Sequence, residues 1–364
     1  MIALAIAVSA LGQSGLAQST PPTRQPSSSS PSAPATVERR LLDAVRRDPA
    51  SFEAHRVLAA FYLQNGRLEA ALPQLERAQA IDPTHYANGH DLALVLLQTG
   101  KLAEARQQAT RVLGIKDTGE IHNLLGDIEE AAGNLVGAAE EYQRAAHLDP
   151  SEEHLFDWGN NLVQLGAFEP ATEVFTAGLA RHPQSARLHV GLGIAQYSRG
   201  QYEAAVNSFC QAVDLSPSDA RPYQFLGEMY GVAPELAPEI TTRLARFVAA
   251  RPRNALATFY YALNLWKGQP AGSEPADLRK VEALLRRSVA LDPRLAKGFL
   301  QLGILLSDQR RYSEAIVNLR QASRLEPNEA QAHYRLAQAY QRTGQDALAA
   351  TELDIFERLK TDSR

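Results

Sequence analysis

The chain has 364 residues, with 37 Lys and Arg against 41 Asp and Glu, a formal net charge of -4. That balance lacks the basic footprint of a nucleic-acid-binding domain, while 45% apolar residues suffice for a folded core. A single cysteine, Cys210, excludes an internal disulfide, a cysteine-built zinc cage and an iron–sulfur cluster.

Ile2 to Leu11 reads IALAIAVSAL, without a charge. Spanning a bilayer takes about 20 apolar residues, so no stable membrane span is expected here. The run fits the apolar region of a secretory signal, although no Lys or Arg precedes it. Gly15 and Ala17 are small residues suited to cleavage after Ala17. Residues 1–17 are therefore expected to be a signal peptide and the protein to be periplasmic or secreted, with N-terminal anchoring at the membrane as the alternative. Residues 18–36, QSTPPTRQPSSSSPSAPAT, cannot bury enough apolar surface to offset their ordering entropy and are expected to form a disordered tether. The folded part is expected over 37–361.

From there the sequence repeats. A proline follows an apolar stretch at Pro49, Pro83, Pro150, Pro183, Pro217, Pro252, Pro293 and Pro327, at intervals of 34, 67, 33, 34, 35, 41 and 34. The 67 is two periods with one proline lost. Counting from the third residue after each proline, a Leu-Gly or Leu-Ala pair falls at positions 7 and 8, as in Leu125-Gly126, Leu192-Gly193 and Leu336-Ala337. Glycine marks position 15 at Gly66, Gly100, Gly133, Gly166, Gly200 and Gly344. Alanine recurs at position 20, and a large apolar residue at position 24, including Tyr142, Phe175, Phe209 and Leu319.

Positions 7 and 11, and 20, 24 and 27, each fall on one helical face, so every period predicts two amphipathic helices. Glycine at position 15 ends the first because it enters the left-handed region at little cost. Proline ends the second, since it cannot continue a helix and disfavours helical geometry in the residue before it. Ser51, Ser151 and Asn328 stand where caps are needed, Asn328 with Gln331 as a capping box. Small residues at 8 and 20 let the paired backbones approach, and the bulky residue at 24 fills the gap between neighbouring pairs.

These positions resemble the tetratricopeptide repeat family, whose pattern places Leu at 7, Gly at 8, Ala at 20, an aromatic at 24 and Pro at 32. Ala186–Asp219 and Ala296–Glu329 match it best. Val37–Asp48 resembles a lone second helix, and about nine repeats follow. The resemblance implies an all-α, right-handed superhelical solenoid of helix-turn-helix repeats, with a concave groove that holds a peptide or protein segment. The stretch 231–279 departs from the pattern. GVAPELAP places Pro234 and Pro238 where a tight turn belongs, so a displaced second helix is expected. KGQPAGSEPADL, between Trp266 and Arg279, predicts a loop between helices.

No catalytic motif accompanies the repeats. Gly191-Leu192-Gly193 has Gln196 at the third glycine position and falls within a helix, away from the strand–turn–helix setting of a dinucleotide site. His-Glu-x-x-His and Gly-x-Ser-x-Gly are absent. The nine histidines are scattered, which suits structural or surface roles, and Cys210 is expected to be a buried small hydrophobe. Adjacent acidic pairs such as Glu129-Glu130 and Glu152-Glu153 diverge on a helix and are expected on solvated faces. No catalytic, cofactor or metal residue is therefore assigned.

The resemblance further implies that positions 2, 5, 9 and 12 of each first helix line the groove. These include Ala87, His90, Leu94 and Leu97, then Glu120, Asn123, Asp127 and Glu130, an acidic section. Later repeats give an apolar stripe through Val190, Ile194, Tyr197, Phe259, Leu263, Trp266, Leu300, Ile304 and Tyr334, the expected partner-binding residues. The family's clamp for C-terminal carboxylates does not fit, because Arg56, Asn123 and Lys297 are followed four residues later by Ala60, Asp127 and Gln301. The expected function is a non-enzymatic scaffold for a protein or peptide partner, needing no cofactor and making no nucleic-acid contact. A self-associating assembly component is the alternative. An enzyme using Glu235, Glu239, Glu274 or Asp277 in the irregular stretch is a remoter one.

Overall fold

The computed structural model describes residues 33–230, 234–268 and 277–362. The expected signal peptide, most of the tether, residues 231–233 and most of the loop containing Glu274 lie outside them. Nineteen α-helices and no strand occur among the described residues. The chain divides into two units, Met1–Arg199 and Gly200–Arg364.

The first unit begins with α1 (Ala33–Arg47), which starts four residues earlier than expected. Four helical hairpins follow: α2 (Phe52–Gln64) with α3 (Leu68–Ile81), α4 (Tyr86–Gln98) with α5 (Leu102–Ile115), α6 (Gly119–Ala131) with α7 (Leu135–Leu148), and α8 (Glu152–Gln164) with α9 (Phe168–Arg181); α10 (Ala186–Ser198) ends the unit. α1 takes the place of a second helix against α2, where Glu38 accepts hydrogen bonds from Tyr62 at 3.2 Å and Arg67 at 2.9 Å. Ser51 and Ser151 cap α2 and α8 as their sequence predicts, and Thr118 and Ser185 cap α6 and α10.

The positional code becomes packing within each hairpin. Ala59, Ala71, Ala93, Ala105 and Ala138 are fully buried where two helices cross. Phe175, at position 24, is also fully buried, and a Cβ added to Gly159 would stand 2.6 Å from its ring. The glycine is therefore a condition of this close approach. A histidine near the start of some first helices ties it to its partner: His55 Nδ1 lies 2.8 Å from Gln74 and His122 Nδ1 2.6 Å from Glu141, each pair nineteen residues apart.

The second unit contains α11 (Tyr202–Leu215), α12 (Arg221–Glu228), α13 (Ala237–Ala250), α14 (Ala255–Lys267), α15 (Leu278–Leu291), α16 (Ala296–Asp308), α17 (Tyr312–Leu325), α18 (Ala330–Arg342) and α19 (Asp346–Asp362). In the departing repeat, α12 is cut to eight residues and α13 is preceded by a 3₁₀ turn at Pro234–Leu236. Tyr223 and Phe247 stack across this repeat with ring centroids 3.9 Å apart. His333 bridges α18 to Glu352 of α19 at 2.6 Å, repeating the histidine tie. Asn328 does not cap α18. Helix geometry begins one residue later than the sequence suggests, and Glu329 is the cap, accepting from the Gln331 amide at 3.0 Å.

Turns between paired helices have positive φ at Gly66, Gly100, Gly133 and Gly166 in the first unit and at Gly344 in the second, and Gly200, directly before α11, has it too. The equivalent place between α16 and α17 holds Arg310, with φ 61°. A residue with a Cβ bears a cost of about 1–2 kcal/mol in that region, partly offset by glycine's greater freedom in the unfolded chain. Arg310→Gly is therefore expected to stabilise the protein by about 0.5–1 kcal/mol. An unchanged or lowered urea midpoint would contradict that reading of the turn.

Candidate functional site

The expected apolar stripe is largely core. Val190, Ile194, Phe259 and Leu263 are each 2% exposed, and Leu300 and Ile304 are also buried. Apolar side chains leave water wherever neighbouring helices can cover them, so these six are out of a partner's reach in this structure. Trp266 and Tyr197 are half-buried. Tyr334 is exposed at 38% and lies 5.1 Å from the ring of Phe356.

Among its described residues the irregular stretch gives no oriented acid–base pair either. Glu239 is in an ion pair with Arg243 at 2.7 Å, and Asp277 caps α15 by accepting from the Arg279 and Lys280 amides. Cys210 is buried, which pushes its thiol up to about 12. Among the described residues no group of three His, Cys, Asp or Glu could hold a metal ion, and no helix is long and apolar enough to cross a membrane.

Concavity and unmet polarity coincide in the first unit. A cavity of about 580 Å³ is lined by Leu94 and Gln98 of α4, Asp127 and Glu130 of α6, Tyr142 of α7, Glu153, Phe156, Asp157 and Asn160 of α8, and Arg187 of α10, among others. Helical periodicity builds this wall. The Thr118 cap starts α6 so that Ile121, Leu125 and Ile128 enter the core while Asp127 and Glu130, three apart, share another face. The Ser151 cap does the same for α8, where Glu153, Phe156, Asp157 and Asn160 recur at three- and four-residue spacing. Tyr142 enters from the side, its ring in the core and its hydroxyl at the wall.

Hydrogen bonds order these groups without neutralising them. Tyr142 Oη lies 2.8 Å from Asp127 and 3.3 Å from Glu130 as a donor. Gln164 donates to Glu130 at 2.9 Å, and Asn123 to Asp157 at 3.2 Å. One cation is present: Arg187 donates to Asp157 at 2.9 Å, with its guanidinium 3.7 Å above the Phe156 ring. Among the described residues, no ion pair reaches Asp127, Glu130 or Glu153. Asn160 is 6% exposed and its Oδ1 has no hydrogen-bond partner.

Burial, chiefly, pushes the Asp127 carboxyl up to about 7, and the neighbouring charges of Asp157, Glu130 and Glu153 add to the effect against the Tyr142 hydrogen bond. Burial raises Asp157 as well, opposed by Arg187 and the Asn123 amide. Tyr142 is held above the usual phenol range by burial and by the carboxylates it faces.

The acidic section of the groove was legible in the spacing of Asp127 and Glu130. The α8 contribution was missed although Gly166 and Phe175 fix its register, which puts Glu153, Phe156 and Asn160 at positions 2, 5 and 9 of the fourth repeat. Treating Glu129-Glu130 as a solvated pair is also corrected, since both are half-buried and Glu130 turns into the wall, whereas Glu152 and Glu153 are exposed as expected, with Glu153 at the rim of the cavity. Glu129 meets Arg106 at 2.6 Å, and Glu152 accepts from Ser185 at 2.6 Å.

Comparisons with known proteins follow the same periodicity. Family models described as tetratricopeptide repeat match residues 62–128 and 156–220, and one described as TPR repeat matches 305–344. Human protein O-mannosyl-transferase TMTC1 is 28% identical over 167 residues, covering 44% of this chain and 19% of that protein. Human tetratricopeptide repeat protein 6 is 28% identical over 151 residues, covering 41% of this chain and 29% of that protein. The chain thus spans under a third of the length of either relative. The solved C-terminal part of a TPR repeat-containing protein from Cytophaga hutchinsonii aligns over 67% of this chain and 97% of its own, with a TM-score of 0.54 and 17% identity, a likeness of fold.

The folded chain holds the Asp127 proton more tightly than the unfolded chain, whose carboxyl has the ordinary value of 3.8. Its contribution to stability is therefore full below that value and is lost as the pH rises through about 7. Asp127→Asn is expected to flatten this dependence and to exceed the wild type at pH 8 by about 2 kcal/mol. Urea titrations at pH 5 and pH 8 measure it, and parallel profiles for the two proteins would refute the assignment.

Proposed function

The chain carries tetratricopeptide repeats, and from that premise we propose that it is a non-enzymatic scaffold whose partner, a peptide or protein segment, lies over the first-helix face of the first unit, across α4, α6, α8 and α10. Tetratricopeptide repeat proteins in general mediate protein–protein interactions, and stacked repeats offer extended binding surfaces. The observation that carries the reading here is the cavity of about 580 Å³ whose wall sets four carboxylates against one guanidinium and holds the unpartnered Oδ1 of Asn160. Such groups are costly to leave unsatisfied, and a segment that supplies complementary polar atoms recovers that cost. A cleft of this size lies within the roughly 300–1,000 Å³ range of small-ligand sites and admits one or two side chains of a longer segment.

The reading replaces the apolar stripe with the acidic section as the place of contact, since the stripe is mostly buried. The transferase activity in the name of one human relative belongs to that protein, of which this chain covers 19%. Twelve-residue peptides selected on the full chain from a random display library test the proposal. Bound peptide is expected to slow amide hydrogen exchange in α4, α6 and α8. Protection confined to the second unit, or no selectable peptide, would argue against it.

A further inference from the structure

We infer that the partner segment seats a cationic side chain, a lysine ammonium or an arginine guanidinium, in the cavity of the first unit, against Asp127, Glu130 and Glu153 and within reach of the Asn160 carbonyl. This rests on the preceding reading and specifies its chemistry.

Charge inventory is the first support. Four carboxylates, Asp127, Glu130, Glu153 and Asp157, line the cavity with one guanidinium, Arg187. That guanidinium is already committed to Asp157 and to the Phe156 face. Hydrogen-bond polarity is the second and independent support. Asn160 is more than nine-tenths buried, lines the cavity, and its carbonyl oxygen lacks a donor. An acceptor left unpaired beside carboxylates calls for a ligand rich in N–H donors, which ammonium and guanidinium groups are. An apolar side chain would leave the same acceptors dry and unpaired. An anionic group, such as a chain-terminal carboxylate, would meet like charge. A metal ion has no cage here, since no three of these ligands converge closely enough among the described residues. Arg187 shows that the wall accepts a guanidinium, stacked on an aromatic face and hydrogen-bonded to a carboxylate.

A cation in this place couples to the Asp127 proton. The charged and titratable groups facing Asp127 are Glu130 on its own helix, Tyr142 on α7, Glu153 and Asp157 on α8, and Arg187 on α10. The cavity residues of α4 are the uncharged Leu94, Leu97 and Gln98. Binding draws on the ionised carboxylate, so affinity falls as the pH drops from 8 to 6.

The test uses the peptides selected on the full chain at 0.15 M salt. Lysine or arginine is expected to recur at one position of those that protect α4, α6 and α8. Replacing that residue by norleucine, or the protein by Glu130→Gln/Glu153→Gln, should weaken binding about tenfold or more, the scale of a charge-assisted hydrogen bond. The wild-type affinity should fall about tenfold between pH 8 and pH 6, following the ionised fraction of a group titrating near 7. Coincident melting curves would show that the double variant keeps its fold; Glu153 alone, exposed at its helix start, supplies a milder variant, Glu153→Gln. Peptides that protect the same face without a basic residue, or that bind the double variant equally well, overturn this inference and leave the scaffold reading standing. Spermidine bound more tightly than any peptide overturns it in favour of a free polyamine. Absence of any peptide on this face removes both readings.

Discussion

Phe175 lies over Gly159 of its own hairpin and against Gly191 of α10, so closely that a Cβ on either glycine would enter the ring. Tyr142 holds the same relation to Gly126. Each ring joins a second helix to first helices through a gap that only a missing side chain provides. Removing these rings from water supplies the driving force, and the glycines set the spacing at which it is realised. The alanines buried at the helix crossings are the same device at lower amplitude.

That spacing turns sequence period into neighbourhood. Residues about one repeat apart come within hydrogen-bond reach on consecutive first helices: Asn123 with Asp157 and Gln164 with Glu130, both separated by 34, and Asp157 with Arg187, separated by 30. Repetition at such positions therefore builds a continuous wall. When several copies carry acids, the wall concentrates negative charge in a place partly removed from water, where each carboxylate raises the cost of ionising the next. Tyr142 joins the two levels, its ring belonging to the packing and its hydroxyl to the acids.

Much of this was legible in the sequence because it depends on local chemistry. The prolines, the position-15 glycines and the caps at Ser51 and Ser151 act within a few residues, and the helices begin and end where these residues place them. Arg310 shows that the turn geometry persists even where glycine is replaced. The cap at Asn328 was misplaced by one residue because Glu329 offers a competing acceptor at the next position. The apolar stripe was misread for a different reason. Register tells which face of a helix a residue occupies, but not how much of that face the next helix covers. Val190, Phe259 and Leu300 occupy their expected register and are buried all the same. The acids at comparable positions stayed at the wall because covering them would leave charge unpaired.

The ring-over-glycine contact makes an unusual demand on the sign of one mutation. In a helix interior, Gly→Ala ordinarily stabilises by about 1 kcal/mol through backbone propensity. At Gly159 the added methyl would stand 2.6 Å from the Phe175 ring, so overpacking should outweigh propensity. Equilibrium urea unfolding of Gly159→Ala is expected to show a net loss of about 1–3 kcal/mol. A gain, or no change, would mean that the hairpins are not held at the spacing from which both the core and the acidic wall are built.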